Sequence, residues 1–413
     1  MKFNIWNDFP QKPLPELLDF IVDNRGKTVP TVSQEEACEI VLIATNCIRN
    51  ENLYPVYEKV RYISKETYEK WFRAHPISGD IIFVNKGTPG RICFCPENID
   101  FCIAQDMMAF RVNSSVLYNK YLLAVLRSRE MQEQIRITSV GDTIPHFKKE
   151  FLKELTIPLP PMDVQQIIGD YYFKLSEKIE LNKKINENLE QQIQAILLNM
   201  IQQDSKKDRI ETVKLGEYLY IKGRIGWKGL KKDEYLDSSD YRIINGESLT
   251  KDGIDWNKAG FISKERYDES PEIMLQVGDI LLSKDGTIGK IGYVDNLDSP
   301  STVASGIFVI RNIKPDIIST QFIYYLLKSK LFSAFIASRT EGSVIPHLYQ
   351  KDFMEFAFPL PNADEMSQFD ALTSPLFATV IKNLRENEFL TATRDALLPK
   401  LMNGEIDVSA VKI

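Results

Sequence analysis

The chain has 413 residues, 44% of them apolar and 26% charged, with 20 Gly and 20 Pro, which excludes disorder and collagen-like structure and suffices for two or more cores. No run of about 18 apolar residues occurs, and the start MKFNIWNDFPQ lacks a basic-then-apolar leader, so the expectation is a cytoplasmic protein with no membrane span or secretory signal. The net charge of −6 is unevenly spread: residues 1–160 carry 20 basic and 20 acidic side chains and 206–361 carry 22 of each, whereas 161–205 has 4 against 7 and 362–413 has 5 against 8.

The first predicted elements are β-branched runs punctuated by glycine, such as GDIIFVNKGTPGRICF from Gly79, which read as hairpins. The five cysteines (Cys38, Cys47, Cys93, Cys95, Cys102) lie here, odd in number and confined to the first quarter of the chain, so reduced thiols are expected. A helical patch, YLLAVLRSREMQEQI, follows, then a loop with Ile144, Pro145 and His146, and a stop at Pro158, Pro160 and Pro161. Asp163 with Gln166 suggests the N-cap of a long helix running to about Ile201. After a polar hinge, QQDSKKD, the whole order recurs.

The recurrence is a tandem duplication. Shifted by 199 residues, ISKETYE from Ile63 falls on ISKERYD from Ile262, and GDIIFVNKGTPGRI falls on GDILLSKDGTIGKI from Gly278. Shifted by 201, GDTIPHFKKEFLKELTIPLP from Gly141 falls on GSVIPHLYQKDFMEFAFPLP from Gly342, with 8 of 20 positions identical. Three matches at nearly one offset define a repeat of about 200 residues. The second copy has its own helical patch, an Ile345-Pro346-His347 loop, and a long helix from about Asp364 to Met402, stopped by Asn403-Gly404 and with a separate or kinked start at Pro375.

The long helices carry matching stripes. Leu175, Ile179, Asn182, Asn186, Leu189, Ile193, Ile196 and Met200 recur 201 residues on as Leu376, Val380, Asn383, Asn387, Leu390, Arg394, Leu397 and Leu401. Such a stripe over nearly four heptads reads as a coiled-coil seam in which buried Asn sets the register; the alternative is that each helix covers its own domain with the Asn facing water. In an antiparallel seam, paired residue numbers share one sum. Asn182 with Asn387 and Asn186 with Asn383 satisfy the same sum, and that register sets Ile179 against Leu390 and Leu175 against Arg394, near an end where the charge reaches water. At roughly 1.5 Å per residue, a helix of about 38 residues is about 57 Å long, which is spacer length. The expected fold is α+β: two similar β-rich globular domains separated by two long helices that pair as an antiparallel coiled coil, a pseudo-two-fold tandem repeat. Its segments are 1–160, 161–205, 206–361 and 362–413.

Catalytic motifs are missing. Gly26-Lys27-Thr28 has Ile21 where a phosphate loop needs glycine, and no aromatic-ending Asn-Pro-Pro or Asp-Pro-Pro sequence occurs. The chain has three His, and Cys93, Cys95 and Cys102 as zinc ligands have no counterpart in the second copy, so no metal is expected. The loops at Lys86-Gly87-Thr88-Pro89-Gly90-Arg91 and Lys284–Lys290 have two readings: hairpin turns needing glycine φ values, or turns whose amides and cations also meet DNA phosphates. The second makes Lys86, Thr88, Arg91, Lys284, Thr287 and Lys290 candidate DNA contacts, with Arg25 and Arg224 added to them. For His146 and His347 a structural role, a loop packed beneath the long helix, leads over a functional one.

Taken together, the G-D-I-x5-G-T-x-G hairpin in each half, Ile-Pro-His before Pro-Leu-Pro, KIELNKKINENLEQQIQAI from Lys178 and RDALLPKLMNGEIDVS from Arg394 resemble the specificity (S) subunits of type I restriction-modification systems. The resemblance covers essentially the whole chain. It implies that the globular halves are target recognition domains, each reading one half of a bipartite, interrupted double-stranded DNA site, and that the helices bind two methyltransferase (M) subunits and through them restriction (R) subunits. It also implies no catalysis by this chain; S-adenosylmethionine, ATP and Mg would serve the partners. Half-sites about one helical turn, roughly 34 Å, apart suit two readers on a rigid spacer. Neutral globular halves fit DNA binding if the partners supply part of the channel. One departure from the family pattern is that the first domain starts almost at residue 1, without a helical arm before it. The alternative is a non-enzymatic coiled-coil scaffold whose globular domains bind protein rather than DNA.

Overall fold

The computed structural model describes residues 3–407 apart from 25, 27, 142, 205–211, 225–229 and 341–346. The chain divides into two compact units, Met1–Leu181 with Phe389–Ile413, and Asn182–Glu388. Compactness therefore cuts through both long helices instead of setting them apart as segments of their own.

In the first unit a four-stranded antiparallel sheet runs Leu18–Val22, Met107–Val112, Ile81–Val84, Ile92–Phe94. Ile81–Val84 is buried along its whole length, as an unbroken apolar run in a central strand should be. A three-stranded sheet, Arg61–Tyr62, Val41–Ile43, Phe101–Ile103, contains one parallel pair, Val41–Ile43 with Phe101–Ile103. Gln11–Pro13 pairs with Thr156–Pro158, tying the two ends of the globular part together. The second unit repeats all three arrangements with Leu219–Gly223, Ile307–Asn312, Ile280–Ser283, Ile291–Tyr293, then Gly260–Ile262, Tyr241–Ile244, Ser301–Val303, and Thr212–Lys214 with Ala357–Pro359. It adds a small hairpin, Leu249–Thr250 with Gly253–Ile254.

The repeated aspartate has a structural job in each unit. Asp80, 1% exposed, takes Nε and Nη2 of Arg111 at 3.1 and 2.9 Å and the amide of Ile77 at 2.9 Å. Asp279 does the same with Arg311, at 2.7 Å to each nitrogen, and with the amide of Gln276. Each guanidinium also lies over an aromatic ring of the edge strand, Phe20 or Tyr220. A forked guanidinium satisfies a buried carboxylate geometrically as well as electrostatically, so this pair fixes the start of the glycine hairpin to the sheet.

The central helix spans Met162–Asp204 and the C-terminal helix Ala363–Met402. Asp163, expected as the cap, lies inside the first turn, where its charge favours the positive end of the helix dipole. The C-terminal helix starts with a reciprocal cap: the Glu365 amide donates to Asn362 Oδ1 at 3.0 Å and the Asn362 amide to Glu365 Oε2 at 2.9 Å. Pro375 does not break this helix. It and Ala371, whose carbonyl loses its helical donor, are both exposed, so the missing bond falls on the outer side of the helix.

The helices run antiparallel within each unit. In the first, Ile168, Tyr172 and Phe173 of the central helix share one core with Leu398, Leu401 and Met402 of the C-terminal helix. In the second, Ile193, Leu197 and Ile201 share a core with Met366 and Phe369. The four asparagines pair as the common sum requires: Asn182 Nδ2 donates to Asn387 Oδ1 at 2.9 Å, and Asn383 Nδ2 to Asn186 Oδ1 at 2.8 Å. Asn182 also donates to Glu386, and Asn186 to the Val380 carbonyl. Arg394 departs from expectation, being only 6% exposed. Its Nη1 meets Ser176 Oγ at 3.3 Å, its Nε meets Asp395 and its head lies over Tyr172, so it is held within the protein instead of reaching water.

Replacing Asn186 with Leu should cost about 1–3 kcal/mol, because the Asn383 amide then faces an apolar neighbour. Replacing Asn186 and Asn383 together should cost less than the single change. Urea unfolding of the two variants checks the order.

Candidate functional site

The glycine hairpin and the Ile-Pro-His segment, distant in sequence, meet in space. In the first unit the loop 85–91 joins Ile81–Val84 to Ile92–Phe94. The Gly87 amide donates to the Pro145 carbonyl at 2.9 Å and the Phe147 amide to the Asn85 carbonyl at 2.7 Å, while Val140 and His146 exchange amide bonds at 3.0 and 2.8 Å. Ile144, Pro145 and His146 thus form a strap along the hairpin loop. The loop's unpaired backbone groups need partners, and the strap supplies them. The loop is also held from the other side, where the Gly90 carbonyl accepts from Gln132 Nε2 at 2.9 Å and from Asn50 Nδ2 at 3.4 Å.

The second unit builds the same platform with different groups. The Leu348 amide donates to the Lys284 carbonyl at 2.9 Å, and His347 bridges to Asp285 through the backbone. His347 Nδ1 also hydrogen-bonds the Asp285 carboxylate, and its ring meets Tyr349 edge-on at 4.5 Å. Ile345 and Pro346 lie outside the described residues. The loop is braced internally: Ser283 Oγ donates to the Thr287 carbonyl at 2.7 Å and accepts from the Lys290 amide at 2.8 Å.

Lys86 and Thr287 are exposed, and Thr88 and Arg91 are half-buried, all on these two loops. Lys290 is on its loop too, with Nζ donating to the Gly246 carbonyl at 2.8 Å. The Lys284 side chain is 14% exposed and lies over the Phe308 ring. Arg25 falls outside the described residues. Arg224 is a correction, since it is 2% exposed and cannot meet DNA. Its Nε donates to the Val303 carbonyl at 3.1 Å, at the position where Asn24 of the first unit bonds the Ile103 carbonyl at 3.1 Å. Both side chains anchor the chain leaving the edge strand. Burial, and then the nearby Arg266, hold the Arg224 guanidinium below its usual range. Self-comparison alone could have exposed this role, by matching Asn24 with Arg224.

The cysteines make no common site. Cys93 and Cys95 pack with Cys47 in one apolar cluster and Cys102 in another. Burial pushes the Cys93 thiol up to about 11 and Cys102 up to about 12, so both stay protonated at neutral pH. Among the described residues, no group of three His, Cys, Asp or Glu could hold a metal ion, and no helix is long and apolar enough to cross a membrane.

Comparison with known proteins agrees with the repeat. Residues 12–191 and 207–385 each match the family described as "Type I restriction modification DNA specificity domain". Similar chains include the MjaIX specificity subunit of Methanocaldococcus jannaschii, 26% identical over 306 residues covering 70% of this chain and 69% of that one. The HindI specificity subunit of Haemophilus influenzae is 24% identical over 400 residues, covering 79% and 86%. The crystal structure of a type I restriction-modification S subunit from M. genitalium covers 96% of each chain at 18% identity with a TM-score of 0.55, a likeness of fold.

Gly87 and Gly90 both take positive φ, +85° and +88°, but a side chain at Gly87 meets nothing within 4 Å, whereas one at Gly90 comes 3.0 Å from Gln132 Oε1 and 3.2 Å from Ile135. Gly87→Ala should cost about 1 kcal/mol, the left-handed backbone penalty alone. Gly90→Ala should cost measurably more in the same chemical denaturation experiment.

Proposed function

The chain belongs to the type I restriction-modification DNA specificity family, its two matched segments covering most of its length, and we propose that it is the subunit that tells such a complex which DNA to modify. The observation that carries this reading is the duplicated platform. One backbone scaffold, hairpin loop plus strap, is built twice and displays different exposed groups at matching positions, Lys86 and Lys148 in one unit against Asp285 and Tyr349 in the other. Two readers of one architecture but different chemistry suit a bipartite site whose halves differ, because the scaffold sets position while the displayed side chains set sequence.

In this reading the hairpin and strap face the DNA, and the bracing by Asn50, Gln132 and Ser283 pre-orders the loops, so binding does not have to order them. The helices recruit two methyltransferase subunits, and restriction subunits join through these. Adenine methylation and ATP-driven cleavage belong to the partners, which use S-adenosylmethionine, ATP and Mg. The neutral globular parts draw additional positive surface from the methyltransferases. The complex works in the cytoplasm.

Replacing residues 1–150 with the equivalent part of a related subunit should change one half of the methylated sequence and leave the other intact. A change in both halves would overturn the independence of the two readers. The purified chain alone, checked by mass, should transfer no methyl group from S-adenosylmethionine to DNA, and adding methyltransferase subunits should produce a complex of two per chain by native mass spectrometry.

A further inference from the structure

The two platforms share a backbone but not a charge. In the repeat, Lys86 corresponds to Asp285 and Arg91 to Lys290. Lys86 is exposed and Arg91 half-buried, and among the described residues neither side chain has an ion pair or hydrogen bond. In the second loop every charged group is engaged. The Asp285 carboxylate holds His347, Lys290 Nζ holds the Gly246 carbonyl, and Lys284 is drawn inward over Phe308 with its Nζ 3.9 Å from Asp285.

These differences matter for a polyanion. An uncommitted cation on a pre-ordered loop neutralises a phosphate and releases its counterion at no internal cost. A lysine already bonded to a carbonyl must give up that bond first, and a carboxylate at the same loop position repels phosphate at the distance where the lysine attracts it. Both loops are braced, so the contrast lies in the side chains alone: the first loop, held by Gln132, Asn50 and the strap, presents Lys86 and Arg91 from a fixed backbone.

Building on the proposed DNA-reading role, we infer that the phosphate anchor of the two hairpins is confined to the first unit: Lys86 and Arg91 take DNA phosphate oxygens, and the second loop, with Asp285 held by His347, makes no phosphate contact. The two halves of the target are thus bound in different ways, the first with a large electrostatic share and the second with little from its hairpin.

The test uses the chain assembled with its methyltransferase subunits and a labelled random-sequence duplex, with affinity followed by anisotropy across a potassium chloride series. Lys86→Gln and Arg91→Gln should each reduce the slope of log affinity against log salt by about 0.9, the value for one lost phosphate contact. Lys86→Arg should keep the slope, which separates charge from folding. Lys284→Gln and Lys290→Gln should leave it unchanged. Equal reductions in both loops, or no reduction from Lys86→Gln in a complex that still binds and methylates DNA, would overturn the asymmetry alone. Failure of the unaltered complex to bind DNA at any salt concentration would overturn the DNA-reading role itself.

Discussion

Four side-chain amides set the register on which the rest of this chain depends. An asparagine buried in an apolar seam without a partner leaves its amide desolvated and unmatched, so only pairings that bring amides together are tolerated. Asn182 with Asn387 and Asn186 with Asn383 meet that condition in one antiparallel register. A shift of one helical turn would leave at most one asparagine pair matched and strand the other two amides. The same direction of travel lets each globular core draw on both helices, the beginning of one and the end of the other.

Much of this was readable before any coordinates, because duplication turns one sequence into two that check each other. The repeat offset, the paired Asn positions and the two long helices follow from spacing alone. Where the reading failed, local rules met a tertiary requirement. Arg394 sits on the seam and a charge there looked bound for water, but Ser176, Asp395 and the Tyr172 ring satisfy it inside. Arg224 looked like a phosphate contact by charge alone, yet it fills the anchoring position that Asn24 fills in the other unit. Pro375 was expected to give a separate or kinked start, but the helix runs through it, with Pro375 and Ala371 both exposed.

The site was harder to see than the fold. That the glycine loop and the Ile-Pro-His segment form one platform could not be read from spacing, since about 55 residues separate them and the junction common to both units is made of backbone hydrogen bonds. What the sequence did hold was the shared Gly-Asp-Ile, whose aspartate proves to be the buried half of an ion pair with Arg111 or Arg311 and not part of a reacting group. Identity between the repeats therefore marks scaffold. Difference between them, at Lys86 against Asp285 and Lys148 against Tyr349, marks the groups free to diverge toward two half-sites.

The central claim is that this chain alone decides where a methyltransferase acts. The most direct measurement is genome-wide sequencing of methylated adenine in cells with and without an intact copy of the chain, the methyltransferase being present in both. The account predicts a bipartite, interrupted motif that is modified only when the chain is present. The same motif modified at the same sites in its absence would contradict the account.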